Sequence, residues 1–262
     1  MDAVSLFRKG SMNVMTVRGV QKSFGGVRAV KDVSFDIGSG ELLALIGPNG
    51  AGKTTCFNLL NGQLRADAGT VMLGEEDITG LTPKKIWEKG VGRTFQITQT
   101  FSSMTVLENV QTALISYRRK LLSMRERAKR LYVDDAMELL RSVGMHAHAN
   151  RSCAVLAYGD LKRVELAVAL ANDPKLLLMD EPTAGMAPGE RMDLMALTAD
   201  IVQSRNMSVL FTEHDMDIVF NKASSIIVLD RGAVIAYGKP ADVRDDPNVR
   251  RVYLGGGSVF AK

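Results

Sequence analysis

The sequence predicts an α/β fold in which a largely parallel β-sheet is combined with an antiparallel β layer and a helical segment. Three observations predict it. The apolar run Leu42 to Ile46 has the length of a buried strand and leads through a glycine-rich loop into a helical stretch. After Pro174, strand-sized and helix-sized stretches alternate, which is typical of a parallel sheet. Between these regions, from Thr105 to Val143, apolar residues recur at near-helical spacing.

The composition is that of an ordinary globular protein. The 262 residues are 46% hydrophobic, which is ample for the core of one large α/β domain or of two small ones. No apolar stretch approaches the ~20 residues that cross a bilayer, and residues 1–12 lack the long apolar region of a signal peptide. Cys56 and Cys153 are the only cysteines, so no disulfide framework is expected and a cytosolic protein is the natural interpretation.

The charge of the chain is mildly basic. A net charge of +4, from 33 basic and 29 acidic residues, is small for a nucleic-acid binder but compatible with work beside an anionic leaflet. We therefore expect no nucleic-acid partner. Basic residues are concentrated at 117–130, which is either a solvated helix face or a surface that meets lipid headgroups or a partner.

The N-terminal part predicts the antiparallel layer. Two stretches, Val14 to Val20 and Ala29 to Ile37, flank the turn Phe24-Gly25-Gly26, and Val71 to Leu73 extends the same layer. Phe24 is either a core aromatic or, since it lies in a glycine-flanked turn, a ring exposed for stacking on an adenine base.

The stretch from Gly47 to Thr54 is a complete phosphate-binding loop of the form G-x-x-x-x-G-K-T. Glycines let backbone N–H groups turn toward phosphates, and the following helix, predicted from Thr54 to Gln63, presents its positive end to them. Lys53 is placed to reach the β and γ oxygens, and Thr54 to offer its hydroxyl to Mg²⁺. The alternative is a glycine-rich turn with a chance lysine, but strand, loop and helix stand in the order that the motif requires. The predicted nucleotide-binding residues are Gly47, Pro48, Asn49, Gly50, Ala51, Gly52, Lys53, Thr54 and Thr55.

The C-terminal half predicts further site residues at the carboxyl ends of strands. The predicted strands are 176–179, 208–212 and 226–229, the helices are 190–204 and 216–222, and a hairpin leads through 230–232 into 234–237. Asp180 and Glu181 end the first of these strands, and His214 follows the second, so all three are expected at one sheet edge. Asp180 would hold magnesium, Glu181 would polarise a water, and His214 would donate to the γ-phosphate. His146 and His148 lie in a polar segment and are expected at the surface.

In order along the chain, these motifs resemble those of ATP-binding cassette (ABC) ATPases. Phe24 matches the A-loop, Gly47 to Thr55 the Walker A loop, Gln96 the Q-loop, Leu156-Ala157-Tyr158-Gly159 the signature, Asp180-Glu181 the Walker B motif and His214 the switch histidine. The resemblance implies one P-loop ABC ATPase domain over residues 1–262, with a RecA-like core and an inserted helical signature subdomain at about 97–159. It also implies ATP and Mg²⁺, with Gln96 on the metal or the attacking water, and Ala157, Tyr158 and Gly159 acting in trans on a partner's nucleotide.

Shorter segments are similar to the ATPases of branched-chain amino acid importers. These are Pro48 to Gly52, Arg93 to Gln96, the tyrosine of the signature, Pro182 to Met186 and the tail Val252 to Gly255. The resemblance implies a peripheral subunit at the cytoplasmic face of the inner membrane. Its partners would be two membrane permease subunits, a sister ATPase or a second copy, and indirectly a secreted solute-binding protein. The alternatives are the ATPase of a lipid or lipopolysaccharide exporter, and a soluble ABC-type ATP switch.

The sequence departs from the family pattern at positions that act in trans. Ala157 stands where the signature normally has a serine, Asp160 where glutamine is common, and Ala187 where this subfamily would usually show asparagine before Pro188. The residues that act in cis are all present. The departures are either harmless drift or the sign of a heterodimer with two unequal sites, in which a sister ATPase supplies an intact signature.

Overall fold

The structure is a computed structural model that describes residues 13–94, 100–118 and 131–254. Its first sheet contains β1 (Asn13–Phe24), β2 (Val27–Gly38), β4 (Ala68–Leu73) and β5 (Glu76–Asp77) in the order β2-β1-β4-β5. All neighbours are antiparallel, which confirms the predicted layer and its extension through Val71. Gly25 and Gly26 have φ of 52° and 89°, so the β1–β2 hairpin turns where glycines permit a left-handed backbone.

The second sheet is the predicted parallel one. Its strands are β3 (Leu42–Ile46), β6 (Val91–Thr94), β7 (Leu176–Asp180), β8 (Ser208–Thr212), β9 (Ser225–Asp230) and β10 (Ala233–Gly238), in the order β10-β9-β3-β8-β7-β6. Only β10 is antiparallel to its neighbour. β6 was not predicted from the sequence, because its four residues include Gly92 and Arg93 and show no strand periodicity.

Nine α-helices lie in the described part of the chain. They are α1 (Lys53–Leu60), α2 (Pro83–Glu88), α3 (Val106–Tyr117), α4 (Val133–Ser142), α5 (Tyr158–Ala169), α6 (Pro188–Arg205), α7 (Met216–Lys222), α8 (Pro240–Asp245) and α9 (Pro247–Leu254). Helix α1 ends at Leu60 and not at the predicted Gln63, because Asn61 leaves the helical conformation and Gly62 has φ of 76°. The predicted helical stretch 105–143 contains α3 and α4, and residues 119–130 of the basic run lie outside the described residues.

Alternation along β3 places the parallel sheet between two cores. Leu43 and Leu45 pack with the antiparallel layer, whereas Ala44 and Ile46 face a second cluster that includes the helices. The sheet is therefore covered on both faces, and the loops that follow β3, β7 and β8 meet at the carboxyl edge of the sheet. In residues 13–94, 100–118 and 131–254, no helix has both the length and the apolar content to cross a bilayer.

Candidate active site

The loop between β3 and α1 packs closely against the backbone of β9 on one side and of β2 on the other. This close packing explains two of its glycines. A Cβ atom on Gly47 would lie 2.3 Å from the carbonyl oxygen of Leu229, and one on Gly52 would lie 2.4 Å from that of Ala29. Gly52 also has φ of 102°, which side chains rarely permit. Ala29 belongs to β2, so the antiparallel layer takes part in shaping the loop.

Lys53 is the first residue of α1, and its side chain reaches back into the loop. It is 7% exposed. Its Nζ donates to the carbonyl oxygens of Gly47 at 2.7 Å and Pro48 at 3.3 Å. Burial lowers its pKa, while the nearby carboxylates of Glu181 and Asp180 act in the opposite direction. The ammonium is thus held by neutral carbonyls, in a position where an anionic ligand would gain a partly desolvated cation.

A cavity of about 240 Å³ opens beside the loop. Its lining combines residues 49–55 with Ala29, Glu181 and His214. The exposed Thr54 and the two residues that follow β7 and β8, Glu181 and His214, therefore face one space. Asp180, which was expected at the same edge, is buried and does not line this cavity.

Thr212 links the two acids that end β7. Its Oγ1 donates to Asp180 Oδ1 at 2.8 Å and accepts from the backbone N–H of Glu181 at 3.0 Å. Glu181 has φ of 48°, a left-handed conformation that is uncommon for a residue with a side chain. From the sequence, Thr212 is predicted only as the end of a strand. Its role follows from the register in which Asp180 lies opposite Thr212.

His214 and Glu181 contact each other directly. The distance from His214 Nε2 to Glu181 Oε1 is 2.7 Å. The imidazole remains 52% exposed and the glutamate 22%, so both groups are open to the cavity. The contact joins the residues that follow β7 and β8 at the cavity wall.

Arg93 is a further charged residue at this edge that the sequence analysis gave no role. It lies on β6, and its Nη2 is 4.0 Å from Asp180 Oδ2. Burial lowers the pKa of the guanidinium, and Asp180 acts in the opposite direction. Gln96, three residues later, lies outside the described residues.

Phe24 stands at the tip of the β1–β2 hairpin. Its side chain is 46% exposed, and Lys22 Nζ lies 5.6 Å from the ring centroid. Phe24 does not line the cavity itself, but the same hairpin carries Ala29, which does. The ring is therefore an exposed surface aromatic and not a core residue.

Ala157, Tyr158 and Gly159 lie at the start of α5 and do not line the cavity beside the phosphate loop. Ala157 is the N-cap of the helix and provides no side-chain hydrogen bond. A Cβ on Gly159 would lie 3.2 Å from Glu190 Oε1, and Glu190 accepts from the Ala187 backbone N–H at 3.2 Å. Glu190 thus lies beside the start of α5 and also binds Ala187, and Ala157 and Ala187 are both exposed.

Tyr253 of α9 reaches the phosphate loop from the C-terminal end of the chain. Burial raises the pKa of its phenol, and the backbone amide of Gly47 beside it partly offsets that rise. From the sequence, Tyr253 is only one residue of the C-terminal segment that resembles branched-chain amino acid importer ATPases.

Fold and site together define a P-loop nucleotide-binding ATPase of the cassette type, in which an antiparallel layer supports the phosphate loop. The family model described as ABC transporter matches residues 30–184, and the one described as branched-chain amino acid ATP-binding cassette transporter matches residues 233–259. The chain belongs to the ABC transporter family, as the motifs predicted, and is an ATP-binding subunit whose hydrolysis of ATP is coupled to transport.

Relatives of known name match over almost the full chain. The high-affinity branched-chain amino acid transport ATP-binding protein LivG of Salmonella typhimurium is 40% identical, with 94% of this chain and 99% of the relative covered. The lipopolysaccharide export system ATP-binding protein LptB of Haemophilus influenzae is 34% identical, with 93% and 98% covered.

Solved structures agree with the fold. The ADP conformation of an ATP-binding cassette of an ABC transporter gives a TM-score of 0.84 at 32% identity, covering 94% of this chain and all of that one. A dimeric post-hydrolysis cassette bound to ADP and phosphate gives 0.71 at 28% identity, covering 86% of this chain and 98% of that one.

Proposed function

We propose that this chain is the ATP-hydrolysing subunit of an importer for branched-chain amino acids or similar small solutes. The observation that carries the proposal is the match of residues 233–259 to the branched-chain amino acid cassette model, in a chain that is 40% identical to LivG. That C-terminal stretch includes Tyr253, which contacts the loop at Gly47. The exporter alternative has weaker support, since LptB is 34% identical.

Each site residue has a distinct role in ATP hydrolysis. Lys53 and the loop amides bind the β- and γ-phosphates, and Glu181 orients the attacking water and accepts its proton. His214, held at Glu181, donates to the γ-phosphate. Such a division suits phosphoryl transfer, in which positioning and charge stabilisation dominate the chemistry. Phe24 stacks on the adenine, for which its exposure at the hairpin tip is the support.

Magnesium fits the oxygen donors that the site offers. Thr54 presents an exposed hydroxyl beside the phosphate loop, and Asp180 a carboxylate at the end of β7. Hard oxygen ligands of this kind, completed by phosphate oxygens and water, are what Mg²⁺ prefers. The bound ion would neutralise phosphate charge, and Gln96 is proposed as a further oxygen ligand.

We place the chain in a nucleotide-sandwich dimer with a sister ATPase. A solved relative of the same fold is dimeric with ADP and phosphate bound. Ala157, Tyr158 and Gly159 lie away from the chain's own cavity, so they are available to a partner's nucleotide. Because Ala157 lacks a hydroxyl, the site to which it contributes loses one charge-assisted hydrogen bond, worth about 1.5 to 3 kcal/mol.

Ala157→Ser tests the asymmetric dimer. In the purified chain alone, we expect the serine to raise steady-state ATP hydrolysis by up to about tenfold, equivalent to ~1.4 kcal/mol of barrier, because it restores the missing donor. Co-expression with the sister ATPase should raise the rate without the substitution. Vigorous cooperative hydrolysis by the unmodified chain, unchanged by serine, would contradict unequal sites.

A matched variant separates the trans effect from helix capping. Serine at position 157 also caps α5, which by itself stabilises a helix by about 1 kcal/mol. Lys239 is likewise an N-cap with no side-chain hydrogen bond, at the start of α8. Lys239→Ser should raise the melting temperature without changing the hydrolysis rate.

An apolar groove offers a docking place for a membrane subunit. Its volume is about 360 Å³, and it lies between α2, β6 and α3, where Trp87 stacks edge-on against Tyr117 at 5.3 Å. The lining includes Arg93, which faces Asp180 at the end of β7. We propose that a short apolar helix of one permease subunit binds in this groove, so that its movement would be transmitted through Arg93 to the nucleotide site.

Ser116→Arg tests this docking place. Ser116 is an exposed residue of the groove, and a charge placed there must be buried when an apolar helix binds. We expect retention by the membrane subunits in detergent to fall at least about tenfold, the equivalent of ~1.4 kcal/mol, with ATP binding by the free chain unchanged. Glu138→Arg, on the exposed face of α4, serves as the control. Equal retention of both variants would rule out the groove.

The proposed function is tested in proteoliposomes that contain the chain, its sister ATPase and two co-purified permeases. Hydrolysis should increase with a solute-binding protein loaded with leucine and not with lipopolysaccharide. Stimulation by lipopolysaccharide alone would favour the exporter, and failure to purify with any membrane subunit would favour a soluble switch. In the proposed function, the chain is a peripheral subunit at the cytoplasmic face of the inner membrane.

A further inference from the structure

Two side-chain links join the loop after β7 to the loop after β8, one on each side of His214. In the inner link, Glu213 Oε1 accepts from the backbone N–H of Thr183 at 3.0 Å and from its hydroxyl at 2.7 Å. In the outer link, Arg191 donates from Nε to the Met186 carbonyl at 2.7 Å and from Nη1 to Asp215 Oδ2 at 3.1 Å.

The inner link is buried. Glu213 is 4% exposed and Thr183 is 1% exposed. The second carboxylate oxygen of Glu213 accepts from the backbone N–H of His214 at 3.2 Å. A buried carboxylate costs stability unless several donors satisfy it, and here the donors come from both loops. Glu213 therefore fixes the backbone of His214 relative to Thr183.

The outer link is half-exposed and fixes the other side of the histidine. Asp215 is the N-cap of α7, where its Oδ1 accepts from the N–H groups of Asp217 and Ile218 at 3.1 and 3.4 Å. The same carboxylate binds Arg191, which is on the first turns of α6. The start of α7, directly after His214, is thereby tied to the segment that leads from Glu181 to Ala187.

We propose that Glu213, Thr183 and Arg191 are positioning residues that hold His214 at Glu181 and make the two loops move as one unit. The proposal rests on the hydrolytic roles given above to His214 and Glu181. Loss of either link would leave nucleotide binding at the phosphate loop intact, since no member of either link lines that cavity. Without either link, His214 could leave the position in which it meets the γ-phosphate, and the chemical step would slow.

The test is steady-state ATP hydrolysis by the chain assembled with its partner subunits, with kcat and KM determined separately. Thr183→Val removes the hydroxyl donor with little change of shape, whereas Thr183→Ser keeps it. We expect Thr183→Val and Glu213→Gln each to lower kcat about tenfold, with KM for ATP within about twofold of the parent. Glu213→Gln replaces one of the two acceptor oxygens by an NH2 group, so it breaks either the bond from Thr183 or the bond from His214. The effect of the double variant should therefore be smaller than the product of the two single effects, because both substitutions act on the same link. Thr183→Ser should retain the parental kcat.

Thr198→Val is the matched control for a merely structural effect. Thr198 is also fully buried, and its hydroxyl donates to the Leu194 carbonyl at 2.8 Å inside α6. The proposal is overturned if Thr183→Val leaves kcat unchanged, lowers it no more than Thr198→Val, or changes KM and kcat together. If Glu213→Gln does not fold, Thr183→Val against Thr183→Ser decides alone. A parent assembly that does not hydrolyse ATP would instead overturn the proposed function itself.

Discussion

Glu181→Gln is expected to abolish ATP turnover while ATP binding persists. The amide keeps the shape of the side chain and an oxygen that can face His214 Nε2, which lies 2.7 Å from Glu181 Oε1. It cannot accept a proton from water, so hydrolysis should fall about a hundredfold or more, within the range for loss of a general base. With hydrolysis blocked and ATP bound, the variant should accumulate as a closed dimer. Gel filtration with and without ATP, beside a hydrolysis assay, measures both effects.

Glu138→Gln is the control for the charge change. Glu138 is exposed on α4, away from the cavity, and its neutralisation should alter neither hydrolysis nor dimerisation. If Glu181→Gln hydrolysed ATP near the parental rate, Glu181 would lose the role of base, and the pairing with His214 would need another explanation.

Lys53→Ala is expected to weaken ATP binding by about ten- to a hundredfold. The ammonium is the buried cation inside the loop, and a charge-assisted hydrogen bond to phosphate is worth about 1.5 to 3 kcal/mol. The loop glycines and the start of α1 would remain, so the backbone amides would still form a cradle. Equilibrium binding of a fluorescent ATP analogue gives the affinity, and circular dichroism checks that the chain is folded.

Lys85→Ala provides the comparison, since Lys85 is an exposed lysine of α2 that does not line the nucleotide cavity. Its affinity for ATP should equal that of the parent. Unchanged affinity in folded Lys53→Ala would remove the phosphate-loop assignment, on which the roles of the other site residues depend.

Most of the fold could be predicted because its signals are local or periodic. The two β-layer strands, the strand before the loop and the alternating strands after Pro174 each show their own apolar pattern, and the structure confirms them. The short strand β6 was missed since four residues with Gly92 and Arg93 carry no periodic signal. Its place is set by pairing with β7, in the register Arg93 to Leu178.

The site was predictable to a similar extent. Lys53, Thr54, Glu181 and His214 were expected together, and all four line one cavity. Thr212 was missed because a threonine at a strand end is unremarkable in sequence. Its hydroxyl gains a role only through the hydrogen bonds to two residues about 30 positions earlier in the chain.

The sequence by itself determined the chemistry of this protein. The phosphate-binding loop from Gly47 to Thr54 can be predicted locally, because a loop of fixed length must surround a phosphate. The position of the two acids can be predicted from the single apolar strand that precedes them. Only the tertiary structure decided how the phosphate loop and His214 are held in place. Several contacts join distant segments of the chain. Ala29 packs closely against Gly52, and Tyr253 contacts Gly47. Thr183 and Arg191 bind the neighbours of His214. No local pattern encodes such contacts, because they exist only once the sheet register and the packing of its two faces bring those segments together.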